Sequence, residues 1–271
     1  MTRSTTTTAT AAPWTGMVAT EDTALAVTDT RGPGIAVVYL NGCYADQKHW
    51  QQTITELGPD FRHITFDARA RGKSKTSFDY SFAACLRDID AVLNAVGVRQ
   101  AILVGWSYGA SLAVHYAEQN PGRVLGVVSA DGAMPYGLAG EEGREQIRKI
   151  FRRMRFLLPL ARPFGMAARM SADEHAEINI EINEISATTM AGVLENVTRP
   201  VRYVLATGSN LGGSAEDMAA ARASLDPILA ANPNITISAQ VPSNHSHILR
   251  KDFRAIADAV RATAHHEAAA R

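Results

Sequence analysis

Apolar residues in this chain gather in short runs, separated by longer stretches with helical spacing. Ile35 to Leu40 and Ala101-Ile102-Leu103-Val104 are continuous apolar runs too short for helices, and Val124 to Val128 is a third; all three read as buried strands. Residues 63–66, 201–206 and 235–241 add further strands, and 23–30 alternates before Gly32-Pro33-Gly34 turns the chain. Between the strands, 46–57, 82–96 and 110–117 carry helical periodicity, and further helices fall near 215–231 and 253–264. Gly58 and Gly97 end the first two helices, and Asn120-Pro121-Gly122 stops the third. Repeated strand–helix units with apolar strands predict an α/β domain with a mostly parallel sheet covered on both faces. Such a sheet binds its ligands beyond the carboxyl ends of its strands.

One stretch breaks the rhythm. Residues 137–197 hold no strand pattern and at least two helical ones, which predicts a helical cap inserted between two strands. In the first, Ile147, Ile150, Phe151, Met154 and Leu158 form an apolar stripe, and Arg144, Arg148, Lys149, Arg152, Arg153 and Arg155 crowd the other faces. In the second, Ile178, Ile182 and Ile185 alternate with Glu177, Glu181 and Glu184. The basic helix fits an anionic carrier-protein or CoA-linked substrate; more simply, these are solvated faces on which the two helices attract one another. Met154, Met166, Met170 and Met190 are expected to fill cap and pocket walls. The expected organisation is a disordered tail at 1–13, a core of 14–136 and 198–264, the cap at 137–197 and a tail at 265–271.

Bulk properties exclude more than they identify. Twenty-seven basic and twenty-seven acidic residues cancel in a chain of 271, so net charge points to neither nucleic acid nor an anionic membrane. The two cysteines, Cys43 and Cys85, make no disulfide framework, and no metal-ligand spacing is visible. No signal-peptide core and no apolar run of ~18 residues stands out, which makes the cytoplasm the expected location. Oligomeric state is not legible.

Candidate chemistry begins at Gly105-Trp106-Ser107-Tyr108-Gly109, between a buried strand and a helix. A serine between glycines at a strand-to-helix turn is the nucleophile-elbow pattern, because the turn tolerates only small flanking side chains. Its hydroxyl then stands beside backbone N–H groups able to hold an oxyanion. The competing reading is a helix-capping serine in a Gly-rich loop. Other pieces follow in order: Leu40-Asn41-Gly42-Cys43 with Trp50, Asp67-Ala68-Arg69-Ala70-Arg71-Gly72-Lys73-Ser74, Asn120-Pro121-Gly122-Arg123-Val124, and Asn244-His245.

Together these resemble the α/β-hydrolase superfamily over 17–262, apart from the variable cap. The resemblance implies the α/β-hydrolase fold and a Ser-His-acid site without a cofactor. His245, after the last strand, is the expected base, and His247 competes with it. His115, His49, His265 and His266 are expected to be structural, surface or tail residues. By resemblance the oxyanion donors are the amides of Cys43 and Tyr108. Asn41 stands where the family commonly has histidine, and is expected to brace that loop. Most relatives carry their acid after the seventh strand, but 206–213 holds no carboxylate. Asp131, ending the sixth strand, resembles the arrangement of certain haloalkane dehalogenases and lactonases; Glu216, Asp217 or a site without an acid are the alternatives. The expected pocket residues are Asn41, Tyr44, Trp106, Met134 and Met154.

The expected function is hydrolysis of an ester, lactone or thioester of a mainly apolar small-molecule acyl substrate. A lyase, cyclase or perhydrolase using the same site is a second reading, and a non-catalytic receptor a third. Haloalkane dehalogenation needs a carboxylate where Ser107 stands.

Overall fold

The computed structural model describes residues 12–161, 167–208 and 215–269. Eight strands form one sheet: β1 (Trp14–Thr20), β2 (Thr23–Asp29), β3 (Ala36–Leu40), β4 (Arg62–Phe66), β5 (Ala101–Trp106), β6 (Val124–Ala130), β7 (Val201–Ala206) and β8 (Ile235–Val241). Their order is β1-β2-β4-β3-β5-β6-β7-β8. β1 and β2 pair antiparallel, β2 runs antiparallel to β4, and every later pairing is parallel. The mostly parallel sheet predicted from the apolar runs is therefore present. β1 is an addition, because Trp14 to Thr20 alternates covered positions, buried at Val18 and Thr20, with exposed ones on the sheet edge and lacks an apolar run.

Alternation along the strands divides the core. Val38, Leu40 and Leu103 pack on one face, under α2 (Phe82–Ala95) and α3 (Tyr108–Gln119). Val37, Tyr39, Ile102 and Val104 pack on the other, with α1 (Gln51–Leu57) and the last helices. The predicted helix at 46–57 is divided: a 3-10 turn, Gln47–Trp50, is capped by Asp46 and leads into α1.

Between β6 and β7 lie α4 (Gly140–Met154), α5 (Leu158–Ala161), α6 (Ala172–Thr188) and α7 (Met190–Asn196). Ile147, Phe151 and Leu158 bury against Ala176 and Ile180 of α6 in a small core of their own. Ile150 and Met154, expected on that stripe, are exposed instead, because α6 covers only a narrow face of α4. Several basic residues of α4 face glutamates: Arg144 pairs with Glu184 and Arg148 with Glu177, joining α4 to α6, and Arg152 pairs with Glu145 of α4 itself. Met170 and Met190 are buried, while Met166 lies outside the described residues.

After β7, the helix expected over 215–231 is two: α8 (Ala215–Ala223) and α9 (Asp226–Ala231), the second opened by Pro227, which fits only a first helical turn. β8 leads to α10 (Ile248–Lys251) and α11 (Phe253–Ala269). α11 passes the expected boundary at 264, since alanine and glutamate favour helix, so residues 265–269 are helical. The tail expected at the N-terminus lies, up to residue 11, outside the described residues. Among the described residues, no helix is long and apolar enough to cross a membrane.

Candidate active site

β5 delivers Ser107 to a conformation few side chains adopt, with φ 55° and ψ −118°. The flanking glycines are required by crowding. A Cβ at Gly105 would lie 2.3 Å from the carbonyl oxygen of Gly109, and one at Gly109 would lie 2.1 Å from that of Leu40. The turn brings the chain into α3 with Tyr108 as the first helical residue. Its amide therefore belongs to the first helical turn, where N–H groups have no partner within the helix.

β6 supplies Asp131, again at positive φ (49°) and fully buried. Its amide donates to Val204 O, and its Oδ1 accepts from Ala206 N at 3.0 Å, so the end of β7 holds a carboxylate carried by β6. Oδ2 lies 2.7 Å from His245 Nδ1. The other ring nitrogen, Nε2, lies 3.0 Å from Ser107 Oγ. The imidazole thus bridges serine and carboxylate, while its side chain keeps 32% exposure toward the cleft. His247 instead caps α10, its amide bonded to the Asn244 side chain. Asp217 opens α8 and accepts from the Tyr136 hydroxyl; Glu216 is an exposed neighbour in the same turn. The interactions that carry Ser107 to His245 and Asp131 run through neither.

The loop after β3 completes the arrangement. Asn41 accepts from Trp50 Nε1 at 2.7 Å and donates to Phe66 O at 2.8 Å, which ties the loop to the core. Cys43 lines the same cleft as Ser107 and Tyr108. Burial pushes its thiol pKa up, with Arg71 opposing, so the reactive thiolate is disfavoured. Arg71 itself is buried, donating Nε to Cys43 O at 2.9 Å and Nη1 to Arg69 O at 2.8 Å. No carboxylate among the described residues pairs with it. The turn that carries Arg71 is held by Asp67, whose carboxylate accepts from the amides of Gln47 and Lys73. Gly72 sits there at φ +44°, where a Cβ would come 2.2 Å from Asp67 Oδ2.

A cleft of about 340 Å³ opens over Ser107. Met134 lines it, as expected, but Asn41, Tyr44, Trp106 and Met154 do not. Asn41 lies behind the loop it braces. Tyr44 packs against His175 and receives a hydrogen bond from Asn179. Trp106 turns away and donates Nε1 to His245 O at 3.1 Å, with its ring beside the imidazole. Met154 is on the uncovered side of α4. The walls come instead from Ser111, Tyr136, Asn179, Ile182, Asn183 and Ser186, with Met218 and Ala221 of α8. The available signal was the spacing of Asn179, Asn183 and Ser186, which puts three polar side chains on one face of α6. A separate cavity of about 760 Å³ lies against β2, β4 and the Asp67–Lys73 turn, and includes none of Ser107, His245 or Asp131.

A family model for the alpha/beta hydrolase fold matches residues 35–236, and the chain belongs to that family. It is similar to a haloalkane dehalogenase of Mesorhizobium japonicum, at 30% identity over 136 residues, 49% of this chain and 44% of the relative. Epoxide hydrolase B of Mycobacterium tuberculosis is 33% identical over 104 residues, 37% of this chain and 29% of that one. The chain thus spans less than half the length of these curated relatives. Among solved structures, a thermophilic esterase from Thermogutta terrifontis superposes with a TM-score of 0.71 at 19% identity, covering 94% of this chain and 99% of the other. At that identity the likeness is one of fold.

Proposed function

We propose that this chain is a serine hydrolase acting by acyl transfer on an ester, thioester or lactone. The observation that carries the reading is the continuous Ser107 Oγ–His245 Nε2–His245 Nδ1–Asp131 Oδ2 chain, with links of 3.0 and 2.7 Å. A serine hydroxyl is a poor nucleophile until a base removes its proton. In this reading Ser107 Oγ attacks the acyl carbon as His245 Nε2 takes the proton, and Asp131 stabilises the imidazolium. The amides of Tyr108 and Cys43 hold the tetrahedral oxyanion. His245 then returns the proton to the leaving oxygen or sulfur, and water, deprotonated by the same nitrogen, cleaves the acyl-enzyme.

The similarity to haloalkane dehalogenases and epoxide hydrolases does not transfer their reactions here. Displacement at a saturated carbon by Ser107 would leave an alkyl ether, with no carbonyl for water to attack. A carboxylate nucleophile leaves an ester, which water can hydrolyse.

A small serine-directed phosphonate should label the protein at Ser107, and Ser107→Ala should abolish labelling. Turnover in ¹⁸O-water should place one labelled oxygen in the acid product, as a hydrolase requires and a lyase or cyclase does not. Equal labelling of Ser107→Ala would overturn the proposal.

A further inference from the structure

The cleft over Ser107 combines apolar walls with a set of neutral hydrogen-bonding side chains. On α6, Asn179, Asn183 and Ser186 recur at positions that share one face, and all three line the cleft. On α3, one turn beyond the nucleophile, Ser111 also lines it at 3% exposure. Among the described residues, nothing accepts from or donates to the Ser111 hydroxyl, whose neighbouring backbone groups bond to Ser107 O and His115. Its oxygen opens onto the cleft, where it is available to a hydrogen-bonding ligand.

The α6 amides are held in place by their own contacts. Asn179 donates to Tyr44 Oη and His175 O, each at 2.7 Å, which directs its Oδ1 away from those partners. Asn183 donates to Asn179 O and accepts from Leu138 N. Ser186 makes no side-chain hydrogen bond among the described residues. Among the described residues, Asp131 is the single carboxylate in the lining and is engaged by His245, and neither lysine nor arginine lines the cleft. Apolar contact comes from Ala133, Met134, Ile182, Met218 and Ala221.

From this lining we infer, resting on the serine-hydrolase reading above, that the substrates are short, uncharged esters bearing hydroxyl groups. A hydroxyl both donates and accepts, as serine and asparagine side chains do, so one substituent satisfies either kind of partner. Long alkyl chains place methylenes against Ser111 and Asn179 and leave their hydrogen-bonding capacity unused. Among the described residues, an anionic tail finds no lysine or arginine in the walls.

The test compares ethyl 3-hydroxybutyrate with its isostere ethyl 3-methylbutyrate by pH-stat, together with ethyl octanoate and monoethyl succinate. The hydroxy ester is expected to exceed its isostere by ~10-fold in kcat/KM, since a site built around a hydroxyl rejects the analogue that lacks it. Octanoate and the succinate half-ester should fall below both. Ser111→Ala and Asn179→Leu should each shrink the hydroxy/methyl ratio toward one. A ratio of one or less in the parent, or octanoate as the best substrate, overturns this inference while leaving the hydrolase reading intact. Absence of phosphonate labelling at Ser107, with no ester turned over, overturns both.

Discussion

Asp131 serves two neighbours at once, His245 through one oxygen and the Ala206 amide through the other. Both partners donate, so the side chain must be acceptor-only. Asparagine can meet just one of them, and its NH₂ would either face Ala206 N–H or force the imidazole into the wrong tautomer. Asp131→Asn is therefore expected to lower kcat by ~10⁴-fold in steady-state ester hydrolysis, with little change in KM. Arg71 acts one step further out. It clamps the carbonyl of Cys43, the residue whose amide is a proposed oxyanion donor, and so fixes the tilt of that loop. Arg71→Met should lower kcat by up to ~10²-fold at nearly constant KM, within the loss expected for one displaced donor. Arg71→Lys, which retains a donor for the carbonyl, should recover much of it. A proportional rise in KM would identify a pocket defect instead.

At the scale of elements, Arg69 ties three pieces of chain together. It is fully buried, forks onto both oxygens of Asp88 in α2 at 2.8 Å, and reaches Glu21 in the β1–β2 turn. Removing one member of such a pair strands the other charge: Arg69→Met should cost about 3–5 kcal/mol in denaturant unfolding. Arg69→Met with Asp88→Leu should be markedly less destabilised than the single variant, because neither charge is then left buried alone. Legibility also divides by element. Ser107, Asp131 and His245 could be picked out because each ends or follows a strand, where backbone geometry dictates the residue. β1 escaped notice because its Met17 and Thr15 face solvent on an edge, which erases the apolar run. The cleft walls escaped because a helix's spacing defines its faces but not its rotation. Asn179, Asn183 and Ser186 share a face in the sequence, and only packing of Ile178 and Ile180 to either side turns that face onto Ser107.

At the scale of the whole molecule, two buried histidines link stability to pH. Burial holds His63 and His115 below their ordinary range, against the opposing pull of the carbonyls of Gly58 and Ser111. His63 also meets the Tyr39 hydroxyl at Nδ1, a contact suited to a neutral ring that accepts there. A folded-state pKa below the unfolded value of about 6.5 means that stability is complete above that pH and is lost as pH falls through and below it. Thermal unfolding should show Tm dropping between about pH 7.5 and pH 5.5, and His63→Gln, though less stable at neutral pH, should flatten that slope. Trp106 gives the same global view an optical handle. Its indole touches His245 from 139 positions away along the chain, with ring centroids 5.6 Å apart. An imidazole packed on an indole changes its emission, so the change at Trp106 develops only once the segment after β8 has docked on the elbow. Fluorescence followed during refolding, with Trp14→Phe and Trp50→Phe leaving Trp106 alone to emit, can therefore separate molecules that have merely closed their sheet from those that have brought His245 to Ser107.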